Sequence, residues 1–206
     1  MAADPGSQPD VFDDENRRPL AAHVWRKEPN SFYVDPAWCS ERLLTEEKFI
    51  GSLWDPSCGR GTIPEAGRRA GYQVVASDLV DRGYRHLDCT LDFLLCERLC
   101  GDNIVCNPPA HCIEAFVRHA LELNPAAVAM IWILRRLPAA HWLASTPLAR
   151  IYLLTPRPSM PPGEVIARGE KPGGGREDFC WLVWRRSHVG LPELRWLHRD
   201  RQEGGR

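Results

Sequence analysis

Several things are scarce in this chain, and each scarcity narrows what it can be. The longest nearly apolar run, Ala126 to Leu134, is far shorter than the roughly 18 residues a membrane-crossing helix needs. The first ten residues lack the basic start and apolar stretch of a secretory leader, so a soluble, cytoplasmic protein is expected. Eight cysteines are present, yet no two form a Cys-x-x-Cys pair, which disfavours both a disulfide scaffold and a tetrahedral zinc site. Cys96, Cys100, Cys106 and Cys112 are therefore expected as reduced core thiols, and no metal is expected. Net charge is only −1, which excludes a protein that coats nucleic acid by bulk electrostatics. Lysine is rare: arginine supplies nearly all the positive charge.

What is there suits one globular domain of 206 residues, with 44% hydrophobic and 26% charged residues and no internal repeat. The near-zero charge hides an asymmetry. Residues 1–103 carry 12 Lys and Arg against 18 Asp and Glu, and residues 104–206 carry 14 against 9, so an anionic substrate would prefer the second half. Residues 1–30 are polar with no hydrophobic period and read as a flexible tail. Residues 31–186 read as the domain and 187–206 as a C-terminal extension.

Alternating signals run along the domain. The pattern predicts a helix from Pro36 to about Glu47, a short strand over Ser52–Asp55, a helix over Thr62–Ala70 stopped by Gly71, and a strand over Tyr72–Ser77 with Asp78 at its carboxyl end. A strand over Asn103–Cys106, a helix over His111–Leu123 and a strand over Ala126–Leu134 follow. Two last strands, Arg150–Leu154 and Phe179–Trp184, flank a long Pro- and Gly-rich loop. This order implies an α/β fold: a Rossmann-like, doubly wound, mainly parallel sheet with an antiparallel edge hairpin.

The loop Asp55-Pro56-Ser57-Cys58-Gly59-Arg60-Gly61 leaves a strand and enters a helix, where glycines let backbone approach a ligand. Asp78 follows Gly59 by 19 residues, where a carboxylate can accept the ribose hydroxyls of a nucleoside cofactor. That pair fits a dinucleotide or a methyl donor. Two residues favour the methyl donor: Pro64 stands where a dinucleotide loop carries a third glycine, and the Asp55 carboxylate repels a pyrophosphate but suits a cofactor with ammonium and sulfonium charges. Asp92 can hydrogen-bond the cofactor's adenine amine or cap a short helix.

Asn107-Pro108-Pro109 bends the chain directly after a buried strand. An exocyclic adenine amine is a poor nucleophile because its lone pair is delocalised into the ring. The Asn107 side-chain carbonyl and the Pro108 backbone carbonyl can each accept one amine hydrogen and so aim the lone pair at a methyl group. The donor is already activated, so alignment carries most of the work, up to roughly 7–11 kcal/mol, and no strong general base is needed.

On these residues the chain resembles, over roughly 31–186, the phage- and prophage-type class I methyltransferases that modify adenine in DNA. Asp55 to Gly61 resembles the first motif of that family, Ala76-Ser77-Asp78-Leu79 its acidic second, and Asn107-Pro108-Pro109-Ala110 its catalytic motif. Phe32-Tyr33-Val34-Asp35-Pro36 looks like its segment that closes over the methionine part of the cofactor. The resemblance implies S-adenosylmethionine as cofactor, held by Tyr33, Asp55, Pro56, Cys58, Gly59, Gly61, Asp78, Leu79, Asp92 and Asn107, with Asn107, Pro108 and Pro109 catalytic. It also implies a seven-stranded sheet, a loop over Pro156–Asp178 bordering the substrate cleft, and nucleic acid, DNA before RNA, as partner.

Two departures bear on the substrate. Ala110 stands where the family carries an aromatic residue that stacks on the target base, worth about 1–3 kcal/mol, with His111 and Trp132 as candidate replacements. No insertion offers a target-recognition domain. The motif also resembles those of enzymes acting on protein glutamine amides or RNA bases, and a weakly active cofactor-binding subunit is a further alternative. Arg135, Arg136, Arg157, Arg168, Lys171 and Arg176 are candidate phosphate contacts, and Trp181 and Trp184 a candidate stacking surface.

Overall fold

The computed structural model describes residues 32–170 and 173–200. The expected tail at 1–30 and the candidate Lys171 lie outside the described residues.

One helix precedes the sheet. Pro36, with φ −65° and an extended ψ, opens α1 (Ala37–Glu46), which buries Cys39, Ser40, Leu43 and Leu44. A three-residue strand, β1 (Leu53–Asp55), leads through the glycine loop into α2 (Thr62–Arg69), and Gly71 at φ +88° turns the chain toward β2 (Val74–Asp78). A two-residue strand, β3 (Cys89–Thr90), and a 3-10 turn, Phe93–Leu95, come next, then β4 (Asn103–Cys106), α3 (Ile113–Glu122) and β5 (Ala127–Ile133). Two 3-10 segments, Leu134–Ala139 and His141–Ser145, connect to β6 (Leu148–Thr155). A five-residue helix, α4 (Gly163–Ala167), interrupts the long loop expected to lack structure; β7 (Phe179–Arg185) and β8 (Glu193–His198) finish the described chain.

The strands form one eight-stranded sheet in the order β3-β2-β1-β4-β5-β7-β6-β8. β3 through β5 pair in parallel, and β7 runs antiparallel to both β5 and β6, the expected reversed strand. β8 was not expected. It pairs in parallel with β6, Arg150 opposite Glu193 through Thr155 opposite His198, and with β3 takes the six strands read from the sequence to eight, one more than the resemblance implies. Its alternation is weak because only Leu197 is buried along it. β3 was missed because two residues carry no period.

Apolar side chains from alternate strand positions fill both sides of the sheet. Trp54, Ile104, Val128, Met130 and Trp184 pack with α3 on one side; Leu53, Val105, Ile131 and Trp181 pack with α1 and α2 on the other. Trp181 and Trp184 are fully buried on opposite faces, their indole N–H groups donating to the Cys39 carbonyl at 3.0 Å and to Thr146 Oγ1 at 2.9 Å. They are core, not a stacking surface, because residues three apart in a strand point to opposite faces. Cys106 is buried as expected, but Cys100 is exposed and Cys96 and Cys112 are half-buried, since only Cys106 lies in a central strand. Among the described residues no helix is long and apolar enough to cross a membrane.

Candidate functional site

Because β2, β1 and β4 are adjacent and parallel, their carboxyl ends align, bringing Asp78, Asp55 and Asn107 to one edge of the molecule. From β1 the chain first builds outward through β2 and then returns to place β4 on its other side. Asp55 and Asn107 thus flank the point where strand order reverses, the usual ligand position in open α/β sheets.

The loop between β1 and α2 is tied to both neighbours. Ser57 N–H donates to Asp55 Oδ1 at 3.0 Å, Ser57 Oγ to the Asn107 carbonyl at 3.3 Å, and Cys58 N–H to the Ser77 carbonyl at 3.0 Å. Gly59 N–H donates to Asp78 Oδ2 at 2.8 Å, and Gly61 N–H to the Cys58 carbonyl at 2.7 Å. Most amide donors of the loop are therefore consumed internally, and Pro56 has none. A pyrophosphate needs such donors, so this arrangement weighs against a dinucleotide. Gly59 and Gly61 have φ +56° and +88°, and a Cβ on Gly61 would collide with the Tyr84 ring. Cys58 faces inward against Ala76 and Tyr84, where burial pushes its thiol up, so only its backbone borders the site.

Three carboxylates gather here with little to balance them. Asp35, Asp55 and Asp78 are each at most 6% exposed. Burial, then the proximity of Asp35 and Asp78, holds the Asp55 carboxyl well above the usual carboxylate range, and its Oδ2 is buried without a hydrogen-bond partner. Burial raises Asp35 to about 6 against the hydrogen bonds of its own backbone N–H and Ser40. Asp78 accepts from Gly59 and Val80 and faces Arg82 Nε at 3.5 Å. A carboxylate offers about four acceptor positions, so Asp78 retains capacity for two hydroxyls.

A strap covers this edge. Phe32 lies under the Arg82 guanidinium, 4.3 Å from it to the ring centroid, and 3.2 Å from where a Cβ on Gly59 would stand. Val34 N–H donates to the Pro161 carbonyl and Gly163 N–H to the Phe32 carbonyl, both at 2.9 Å, while Tyr33 bridges Pro162. Strap and long loop thus form one ledge beside Asp55 and Asp78. Leu91 N–H donates to the Asp78 carbonyl at 2.9 Å, which brings the start of the Asp92 turn alongside β2. Asp92 caps that turn through Leu94 N–H at 3.0 Å, and Leu79, Val80 and Leu94 expose apolar side chains nearby.

In the acceptor segment Pro108 is buried, and among the described residues no donor reaches its carbonyl. Pro109 and Ala110 carbonyls accept from Cys112 N–H at 2.8 Å and Trp132 Nε1 at 3.3 Å. Trp132 is 6% exposed and offers no face in place of the missing aromatic; His111 is exposed beside Ala110.

The candidate phosphate contacts are largely committed. Arg135 grips Glu177 at 2.5 and 2.9 Å, Arg157 grips Asp178 at 2.8 and 2.9 Å, and Arg168 reaches Glu170 at 2.7 Å; Arg176 also has a partner, and Arg136 is exposed. Charge counting did not reveal these pairs because a count ignores where the acids fold back. Among the described residues no group of three or more His, Cys, Asp or Glu can hold a metal. Asp35 was expected only as part of the segment Phe32 to Pro36; the fold buries it in the same acidic cluster as Asp55.

No protein-family model and no curated protein matches the chain. Solved structures do. The "putative RNA methyltransferase PH1948" of Pyrococcus horikoshii aligns with TM-score 0.52 at 11% identity, over 71% of this chain and 80% of that one. The "predicted O-methyltransferase" Atu636 of Agrobacterium tumefaciens aligns with TM-score 0.50 at 13% identity, over 80% and 86%. The tRNA (uracil-54, C5)-methyltransferase of Pyrococcus abyssi, solved with S-adenosyl-L-homocysteine, aligns with TM-score 0.51 at 12% identity, over 70% and 36%. The chain has the Rossmann-like, mixed-sheet fold of these methyltransferases. Their acceptors differ from one another, so the shared feature is the architecture.

Proposed function

We propose that the chain is an S-adenosylmethionine-dependent methyltransferase whose acceptor is a planar nitrogen, first of all the exocyclic amine of adenine in DNA. The observation that carries this reading is the buried, unpartnered Asp55 Oδ2 within a cluster of three acids, beside Asn107. An unsatisfied buried carboxylate is unfavourable unless a cation or donor arrives, and the ammonium and ribose hydroxyls of this cofactor match Asp55 and Asp78. Tyr33, Pro56, Cys58, Gly59, Gly61, Leu79 and Asp92 complete the surface that would hold it. When bound, the cofactor supplies an activated methyl group. The chain's own work is alignment: Asn107 Oδ1 and the Pro108 carbonyl accept the two amine hydrogens, and Pro109 keeps the bend rigid. Each such electrostatic contact is worth roughly 10²–10³ in rate.

Ala110 and the committed arginines favour a second reading, with the same chemistry on an RNA base or a protein glutamine amide. A target that needs neither an aromatic stack nor several phosphate contacts fits these two observations better.

Calorimetry with S-adenosylmethionine on the wild type and on Asp78→Ala, with nicotinamide dinucleotide as control, tests the cofactor. Binding that Asp78→Ala weakens at least about tenfold, or about 1.4 kcal/mol, supports it, and no wild-type binding overturns it. Transfer of labelled methyl to DNA, RNA or protein identifies the acceptor. Asn107→Ala is expected to lose that transfer while binding cofactor normally, and full activity in it would displace Asn107 from its role.

A further inference from the structure

A strand at the rim of a sheet leaves one row of peptide groups without a neighbouring strand, and β8 is the last strand in the order. Arg199 N–H donates to the Thr155 carbonyl at 2.8 Å. Alternation along the strand therefore turns the peptide groups of Leu194, Trp196 and His198 away from β6. Among the described residues no strand pairs with that row. The side chains there are apolar as well. Of the ten exposed large hydrophobic residues in the described chain, four fall between Val189 and Trp196, with Leu194 53% and Trp196 57% exposed. Leu194 stands opposite Ile151 and Trp196 opposite Leu153, so the two carry the apolar row of that sheet face out to its rim.

The charges along this strand say what fits against it. Glu193 and Arg199, both exposed and of opposite sign, lie three residues to either side of Trp196. Glu193 also pairs with Arg195 on its own strand, and Arg199 has no partner among the described residues. An antiparallel two-fold through Trp196 sets Glu193 of each strand opposite Arg199 of the other, in non-hydrogen-bonded pairs, where side chains approach closest. The outward peptide groups of Leu194, Trp196 and His198 then bond to those of His198, Trp196 and Leu194 in the second copy. The adjacent registers fail. Centring on Arg195 sets that cation against itself, and centring on Leu194 sets Pro192, which has no N–H, where a donor is needed. We propose that the outer edge of β8 is a self-association surface, on which a second copy of this chain adds its own β8 antiparallel, with Trp196 on the two-fold axis. β6 and β8 run with β5, because β7 is antiparallel to both β5 and β6. The reversal at the axis therefore points the candidate sites of the two copies toward opposite edges of one continuous sheet and leaves each complete in its own chain.

Sedimentation velocity on the full chain tests this surface without reference to any methyl transfer. The wild type is expected to dimerise below about 100 μM, within the range that specific interfaces reach. Trp196→Lys changes an exposed side chain, so it should keep the urea midpoint of the wild type while sedimenting as a monomer. Glu193→Lys and Arg199→Glu are each expected to weaken association at least about tenfold, since each sets like charges together twice across the axis. Mixing these two variants restores opposite charges at both places. A mixed dimer is therefore expected where neither variant pairs with itself, and its formation also shows that both variants are folded. A wild type still monomeric at about 100 μM overturns the proposal. So does a dimer that tolerates Trp196→Lys and both charge reversals, because the copies then meet elsewhere, and so does a mixture no more associated than its separate components.

Discussion

A carboxylate oxygen shielded from water and from every donor is unfavourable by roughly 1–3 kcal/mol, and Asp55 Oδ2 is in that position. Its raised carboxyl, with Asp35 near 6, means that the folded chain holds protons the unfolded chain has released. The stability these groups contribute is fully present below their ordinary values near 3.8 and is lost as pH rises, for Asp35 through about 6 and for Asp55 through its own raised value. Without cofactor, the melting temperature of the wild type is therefore expected to fall from pH 4.5 to 7.5 relative to Asp55→Asn. The variant should be more stable at pH 7.5 by about 1–3 kcal/mol yet bind S-adenosylmethionine at least about tenfold more weakly. Scanning calorimetry with and without cofactor checks both, and an Asp55→Asn that is less stable at pH 7.5 would mean the oxygen has a partner. A cationic ligand favours the ionised acids, so affinity should rise with pH over the same interval.

Single elements carry two further expectations. β8 lies in the segment that reads from sequence as an extension, yet Leu197 is 1% exposed while Leu194, on the other face of the strand, is 53% exposed. Leu197→Ala should cost about 2–4 kcal/mol in urea denaturation and Leu194→Ala under about 1, because only the first opens a cavity. Equal small losses would show that β8 does not dock on β6. At the two ends of α2, Gly61 and Gly71 share φ +88°, but only Gly61 faces an obstruction, the Tyr84 ring, with nothing within 4 Å of a Cβ on Gly71. Gly71→Ala should cost the backbone term alone, about 1–2 kcal/mol. Gly61→Ala adds overpacking of about 1–3 kcal/mol, and denaturation midpoints will show whether the two diverge. The end of α1 is anchored by Glu47, 3% exposed, which accepts from Arg150 at 2.8 Å, Tyr152 Oη at 2.9 Å and Arg185. This cluster joins residues more than 100 positions apart, so no local pattern announces it.

For the whole molecule the question is how a chain of net charge −1 would meet a nucleic acid. Six phosphate contacts would give a log–log salt slope of roughly −5, at about −0.9 each. With Arg135, Arg157 and Arg168 facing Glu177, Asp178 and Glu170, a slope shallower than about −3 is expected for oligonucleotide binding followed by anisotropy. Glu177→Gln with Asp178→Asn frees two arginines and should steepen it by about 2. A wild-type slope near −5 would mean these surface pairs open on binding, which their exposure makes inexpensive.

The helices and central strands were legible from sequence because their signals are local: proline and glycine at α1 and α2, apolar runs at β2, β4 and β5, and the reversal implied by β6 and β7. The placement of Asp55, Asp78 and Asn107 at strand ends was legible for the same reason, since a parallel sheet puts every carboxyl end on one edge. Tertiary structure alone decided the rest. Trp181 and Trp184 look alike in sequence and prove to serve opposite cores; the arginines of the long loop look free and prove to be paired. β8 joins the sheet through one buried leucine, and the strap meets the long loop through Val34 and Gly163. Periodicity and turn chemistry act over a few residues and are written in the chain itself, whereas ion pairs and edge pairing depend on groups that only folding brings within a few ångströms.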